Sequence, residues 1–220
     1  MVSPVLANLF LHYAFDAWMD REFPSVWFER YADDAVVHCV TERQARQVLA
    51  ALANRMAEVG LHLHPAKTRI VYCQDGQRRR SSEHTAFTFL GYTFRARRNR
   101  TRHGRQFLSF EPAVSRDALK KMGREVRSWH LHTRSQLSFQ ELARRMNPVV
   151  AGWINYYGRF RPWELHPFLM RINAYLVRWI RQKYKRLAAK RKAITKMQEI
   201  ARRYPRMFAH WRLTADAVSV

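Results

Sequence analysis

Apolar positions recur along the chain with a period that changes from segment to segment. Between Pro4 and Met19, Leu6, Leu9, Phe10, Tyr13 and Phe15 fall close to a helical repeat, and Pro4 suits a first helical turn, so one helix is predicted. Residues 26–31 and 35–40 are β-prone runs flanking Ala32, Asp33 and Asp34, which predicts a hairpin with the two carboxylates at its tip. Thr41 caps a following helix with Val48, Leu52, Met56 and Val59 as its stripe and Gly60 as its stop. Residues 61–63 and 68–72 read as short strands around Pro65 and Lys67.

The stretch "RRRSSE" predicts a basic surface loop. "TAFTFLGYTF" reads as one strand whose alternation changes phase, with Gly91 absorbing the shift as a bulge. The run "RARRNRTRHGR" is expected to be a long cationic loop leading to a strand at 106–110. After Pro112 the period turns helical. Ser115 precedes Leu119, Met122, Val126 and Trp129, and Ser138 with Glu141 makes a capping box before Leu142 and Met146. Asn147 and Pro148 predict the cap and first turn of a further helix through Val149, Val150, Trp153, Ile154 and Tyr157. In that reading Trp153 is a core residue. A fourth helix places Phe168, Leu169, Ile172, Leu176, Trp179 and Ile180 on one face, and Arg171, Arg178, Arg181 and Lys185 on another that is open to phosphates.

Composition adds limits. At 220 residues and 47% hydrophobic, the chain has apolar material for one sizeable core or two small ones. No apolar run approaches the roughly 20 residues of a membrane span, and no charged n-region with a small-residue cleavage site opens the chain; a soluble, unsecreted protein with no membrane partner is expected. Cys39 and Cys73 sit in apolar strand-like segments without metal-ligand spacing, which predicts reduced core thiols.

Charge changes the picture more. Residues 1–74 carry 7 Lys/Arg and 8 Asp/Glu, leaving 33 against 9, a net of +24, for residues 75–220. Such a field calls for a polyanion, and the interleaved Trp, Tyr and Phe favour nucleic acid. Against that background the Asp33-Asp34 pair stands out. Aspartate is ordinary turn material. Two adjacent carboxylates also suit a divalent cation between them, and Mg²⁺ bound by oxygen ligands serves phosphoryl chemistry.

The hairpin "RYADDAVVHC" resembles the active-site turn of reverse transcriptases, and "VSPVLANLFLHYAFD" resembles the helix just before it in those encoded by group II introns. The likeness continues in order through "GLHLHPAKTRIV", "FTFLGYTF", "NPVVAGWINYYGRF" and "MFAHWRL". The resemblance implies an α+β fold: part of a right-hand polymerase palm over residues 1–111, then an all-helical thumb, or maturase, domain over 112–220. It implies Mg²⁺ as cofactor with Asp33 and Asp34 as catalytic metal ligands, and Tyr31 and Ala32 beside the growing end. Lys67 would face the triphosphate or support the site, although a lone lysine after Pro65 is more often a surface residue. Phe89, Leu90 and Gly91 would position the primer, although an aromatic strand is a core strand by default. His62 and His64, at alternate positions, read as solvent-facing or packed rather than as ligands.

The implied partners are group II intron RNA, an RNA template with a DNA primer or target DNA, and an amino-terminal half of the polymerase, in a cytoplasmic intron ribonucleoprotein. Family members carry an earlier aspartate, a fingers region and a Pro-Gln-Gly turn before the segment that opens this sequence. The chain therefore reads as the later part of such an enzyme. Asp16 and Asp20 are not replacements, and read as solvated. Three functions compete: a reverse transcriptase active when complemented, a non-catalytic RNA-binding maturase module, and a general basic chromosomal or ribosomal protein, which leaves the Asp-Asp turn unexplained.

Overall fold

A computed structural model describes residues 3–76 and 82–218, and most of the predicted "RRRSSE" loop, 78–81, lies outside them. The chain forms two compact units, one of residues 1–89 with 95–110, the other of residues 90–94 with 111–220. Helices and small antiparallel sheets combine in an α+β fold.

The first unit opens with α1 (Ser3–Leu11), a π-helical turn (His12–Asp16) and α2 (Ala17–Glu22) in one helical run. A π turn releases a backbone carbonyl, and the Arg55 guanidinium donates to Ala14 O at 3.2 Å. The hairpin follows as β1 (Trp27–Tyr31) and β2 (Asp34–His38), antiparallel, with Tyr31 opposite Asp34 and Phe28 opposite Val37. Next comes α3 (Glu42–Glu58), capped by Thr41 Oγ1 accepting from Gln44 N, and stopped where Gly60 takes a φ of 74° that a side chain would oppose. Phe15, Met19, Val26, Val48, Leu52 and Met56 form the core between these elements, with Phe28 set edge-on to Phe15.

Several expectations change here. Only Phe15 of the predicted α1 repeat is buried; Leu6, Leu9, Phe10 and Tyr13 are exposed. Segments 61–63 and 68–72 are irregular chain, because Pro65 removes a donor and a tight turn folds back on His64 O, which accepts from Lys67 N and Thr68 N. Cys39 lies just beyond β2, half-buried, where burial raises its thiol pKa, whereas Cys73 is exposed rather than a core thiol.

The chain continues through β3 (Ala86–Phe89), β4 (Tyr92–Arg100) and β5 (Gln106–Val114), paired in that order. "TAFTFLGYTF" is thus two strands, not one bulged strand. Leu90 and Gly91, with φ of 50° and 79°, make a two-residue turn of the type that reverses twisted strands. The expected cationic loop is mostly β4, and only residues 101–105 form the connection to β5.

The second unit is built on α4 (Arg116–Ser128), α5 (Phe139–Tyr157), α6 (His166–Lys183), α7 (Lys190–Arg203) and α8 (Trp211–Val218). Ser115 caps α4 by accepting from Ala118 N, and Ser138 with Glu141 forms the capping box of α5. The helix predicted to start at Pro148 is instead the second half of α5, with Pro148 inside it. Asn147 does not cap: its side chain donates to Met207 O at 2.8 Å and accepts from Ala209 N at 2.9 Å, tying α5 to the segment before α8. Helix α6 is central, its Leu169, Ile172, Leu176, Trp179 and Ile180 wholly enclosed. Val149 turns outward, and Trp153 is half-buried, stacked on Trp129 and edge-on to Phe168. The "MFAHWRL" stretch supplies Phe208, His210 and Trp211 to this core.

Candidate active-site turn and nucleic-acid face

The β1–β2 reversal needs only Ala32 and Asp33, because Asp34 already pairs with Tyr31. Ala32 has a φ of 53°, whereas Asp33 is not among the positive-φ residues, so only the first loop position is left-handed. That pattern normally favours glycine, and a Cβ there stores local strain. Tyr31, Ala32, Asp33 and Asp34 are all exposed at this tip. The strand period directs Asp34 and Tyr31 to the outer face of the hairpin with Glu29 and His38, whose side chains are hydrogen-bonded to each other.

Behind the turn, Arg30 points inward. Its Nε and Nη2 donate to the two carboxylate oxygens of Asp16 at 2.7 and 2.6 Å, and its Nη1 donates to Asn8 Oδ1 at 3.0 Å and Ala32 O at 2.9 Å. One guanidinium therefore fastens the turn's own backbone to the helix before it. Hydrogen bonding from Arg30 holds the Asp16 carboxyl below the usual carboxylate range, and the same bonds raise the Arg30 pKa. Asp16 is thus a structural anchor rather than the solvated surface carboxylate expected. Sequence reading missed Arg30; the available signal was an arginine at an inward strand position beside Phe28.

Asp33 and Asp34 offer carboxylate oxygens, the donor chemistry Mg²⁺ takes. Among the described residues no group of three or more His, Cys, Asp or Glu side chains is gathered to hold a metal ion. Lys67 is exposed in its own turn at 65–67, and His62 and His64 are exposed on irregular chain.

Within the second unit, Leu90 and Gly91 are held by two hydrogen bonds and the adjoining Tyr92 by a third. Tyr156 Oη donates to Leu90 O at 2.9 Å, Ser115 N donates to Gly91 O at 2.9 Å, and Tyr92 Oη donates to Tyr156 O. A Cβ on Gly91 would stand 2.8 Å from the Tyr157 hydroxyl, so glycine is required by space as well as by φ. Phe89 ends β3 half-buried.

Arg171, Arg178 and Arg181 are exposed on α6 and, at about 100° per residue, fall within a sector of about 80°. Lys185 is exposed in the 3₁₀ turn (Lys185–Leu187) beyond the helix. Arg178 lies over the Tyr175 ring, and Arg181 donates to Ala188 O. Arg127 of α4 joins them, since a Cβ on Gly123 would meet Nη1 of both Arg171 and Arg127, at 3.7 and 3.8 Å. Two guanidiniums that approach the same point make a place a phosphate can be held, and helix periodicity within α4 alone gave no sign of it.

Residues 1–94 match the family described as Reverse transcriptase (RNA-dependent DNA polymerase). Residues 119–198 match the Group II intron, maturase-specific domain. The chain belongs to the group II intron reverse transcriptase/maturases. No curated protein matches it. The reverse transcriptase match spans both the Asp33-Asp34 turn and the Leu90-Gly91 turn, and the maturase match spans Arg127 and the α6 arginines. Both domains act on nucleic acid, intron RNA above all, which removes the general basic protein from consideration. Among the described residues no helix is long and apolar enough to cross a membrane.

Proposed function

We propose that this maturase chain supplies the metal-binding turn and the RNA-gripping helices of an RNA-directed DNA polymerase that is coupled to splicing and mobility of a group II intron. The observation that carries the reading is the Asp33-Asp34 tip itself: two exposed carboxylates, one in a strained two-residue turn and one on the strand residue next to it, held from behind by the Arg30 bond to Ala32 O. Asp33 and Asp34 would hold Mg²⁺, which supplies activation of a 3′ hydroxyl and neutralises the leaving pyrophosphate. Tyr31 and Ala32 would lie beside the growing end, Lys67 would face the triphosphate or support the site, and Phe89, Leu90 and Gly91 would position the primer. Arg171, Arg178, Arg181 and Lys185 hold intron RNA in a cytoplasmic ribonucleoprotein.

A two-metal site takes carboxylates from more than one strand. The partner that fits is an amino-terminal polymerase half bringing a further aspartate. The exposed side chains Val5, Leu6, Leu9 and Phe10 of α1 and Tyr13 of the π turn that continues it support that reading, since five apolar residues on one helical run favour a covering surface. The test is primer extension on an RNA template with Mg²⁺. No extension is expected from the chain alone and recovery is expected with the complementing half, with Asp33→Asn abolishing the recovered activity while RNA binding persists. A complemented Asp33→Asn protein that still extends primers would return the pair to an ordinary turn.

A second reading, an RNA-binding maturase module without polymerisation, is favoured by the concentration of +24 in residues 75–220. Splicing assistance with no recovery of extension on complementation would select it.

A further inference from the structure

Three large rings stand exposed at the corner where α5 gives way to the 3₁₀ turn (Pro162–Leu165): Tyr156, Phe160 and Trp163, at 46%, 49% and 59%. Exposed aromatics are costly to leave in water. Scattered rings would need no comment, but each of these is braced. Tyr156 is fixed at both ends, its hydroxyl on Leu90 O and its carbonyl accepting from Tyr92 Oη. Phe160 stands edge-on to Tyr92, with centroids 5.4 Å apart. Trp163 has the Arg161 guanidinium over its ring at 4.9 Å, and Arg161 is itself held by Glu111 at 2.8 Å. These contacts leave about half of each ring's residue exposed. Rings held this way lose little freedom when a flat partner lands on them.

The partner's chemistry follows from the setting. Arg159 adjoins Phe160, and although Glu111 and Glu164 offset Arg161, residues 75–220 as a whole carry a net of +24, which selects a polyanion over an apolar protein surface. A duplex hides its base faces, whereas an unpaired strand offers one π face per nucleotide. We propose that Tyr156, Phe160 and Trp163 form a stacking platform for unpaired nucleobases, so that this corner takes single-stranded RNA while the α6 arginines take phosphates whatever the pairing. The inference rests on the RNA-gripping role above and deepens it by naming the ligand class.

The test uses the full chain with two labelled probes, a 20-nucleotide oligo(U) and a fully paired RNA duplex, read by fluorescence anisotropy over a salt series. Stacking contributes a factor of roughly 10 to 100 per base. Phe160→Ala with Trp163→Ala should weaken oligo(U) binding about 10- to 100-fold and duplex binding less than about 3-fold, with both salt slopes unchanged. Phe160→Tyr with Trp163→Phe should restore oligo(U) binding. Equal losses on both probes, or no loss on oligo(U), would overturn the platform. Absence of binding to either probe by the unaltered chain would instead remove the RNA-gripping reading, and this inference with it. A variant-free check is crosslinking of 4-thiouridine RNA to the unaltered chain: adducts are expected within 156–163, and adducts confined to other segments would overturn the assignment.

Discussion

Arg30 on β1 grips both carboxylate oxygens of Asp16, at 2.7 and 2.6 Å, across the joint between the opening helix and the hairpin. Both side chains are largely shielded, and the remaining guanidinium nitrogen reaches the turn through Ala32 O. A planar fork is needed for this. Charge alone would not fix the angle between helix and strand.

Asp16→Asn should therefore lower the stability of the amino-terminal unit by about 2 kcal/mol, in the range for losing a charge-assisted hydrogen bond. Arg30→Lys should fail to restore it, since an ammonium cannot bridge both oxygens. Urea unfolding measures both. Asp16 has its folded pKa depressed by Arg30, so its contribution is fully present above the unfolded value of about 3.9 and is lost as pH falls through the lower folded value. Asp16→Asn should flatten that acid limb, and an unchanged limb would locate the bond's energy elsewhere.

Ala32→Gly should stabilise the hairpin. An L-residue in the left-handed region costs about 1 to 2 kcal/mol, against about 0.5 to 1 kcal/mol of extra chain entropy for glycine. A net gain of about 0.5 to 1 kcal/mol in thermal unfolding is expected, and Ala32→Val should lose stability.

Pro148→Ala should stabilise the helical unit by about 1 to 2 kcal/mol. Proline inside a helix is about 3 kcal/mol worse than alanine, partly offset by its stiffening of the unfolded chain. Asn147→Ala should act oppositely, because it removes the two bonds to Met207 and Ala209. Destabilisation by Pro148→Ala in denaturant would mean that the proline ring is needed where it stands in α5.

His210 predicts an acid-sensitive core. It is fully buried, its Nε2 bonded to Asn173 Oδ1 at 2.8 Å and its Nδ1 without a partner, and desolvation lowers its pKa to about 3. The unfolded chain takes a proton near pH 6.5 while the folded chain does not. Stability is thus fully present above that pH and declines by about 1.4 kcal/mol per unit as pH falls toward 3. Hydrogen exchange of α6 between pH 7 and 5 would show the slope, and His210→Phe should remove it.

The helical caps and stripes were legible in the sequence because they are local. Thr41, Ser115 and the Ser138-Glu141 box each satisfy a helix's own unpaired donors within three residues, so neighbours along the chain suffice to specify them. The hairpin tip was legible for the same reason. What the sequence could not show were decisions taken at a distance. Pro148 stays inside α5 because one face of the helix, Leu142, Ala143, Met146 and Val150, is buried in the core of its unit, and that packing outweighs the one hydrogen bond lost. Leu90 and Gly91 turn the chain because Tyr156 and Ser115, far along the sequence, donate to their carbonyls. The cationic run became strand β4 because its neighbours in the sheet supplied the backbone partners that charge by itself does not forbid. Asp16 and Arg30 stand fourteen residues apart and Arg127 and Arg171 forty-four, with nothing periodic joining either pair, so only the fold could bring their charges together.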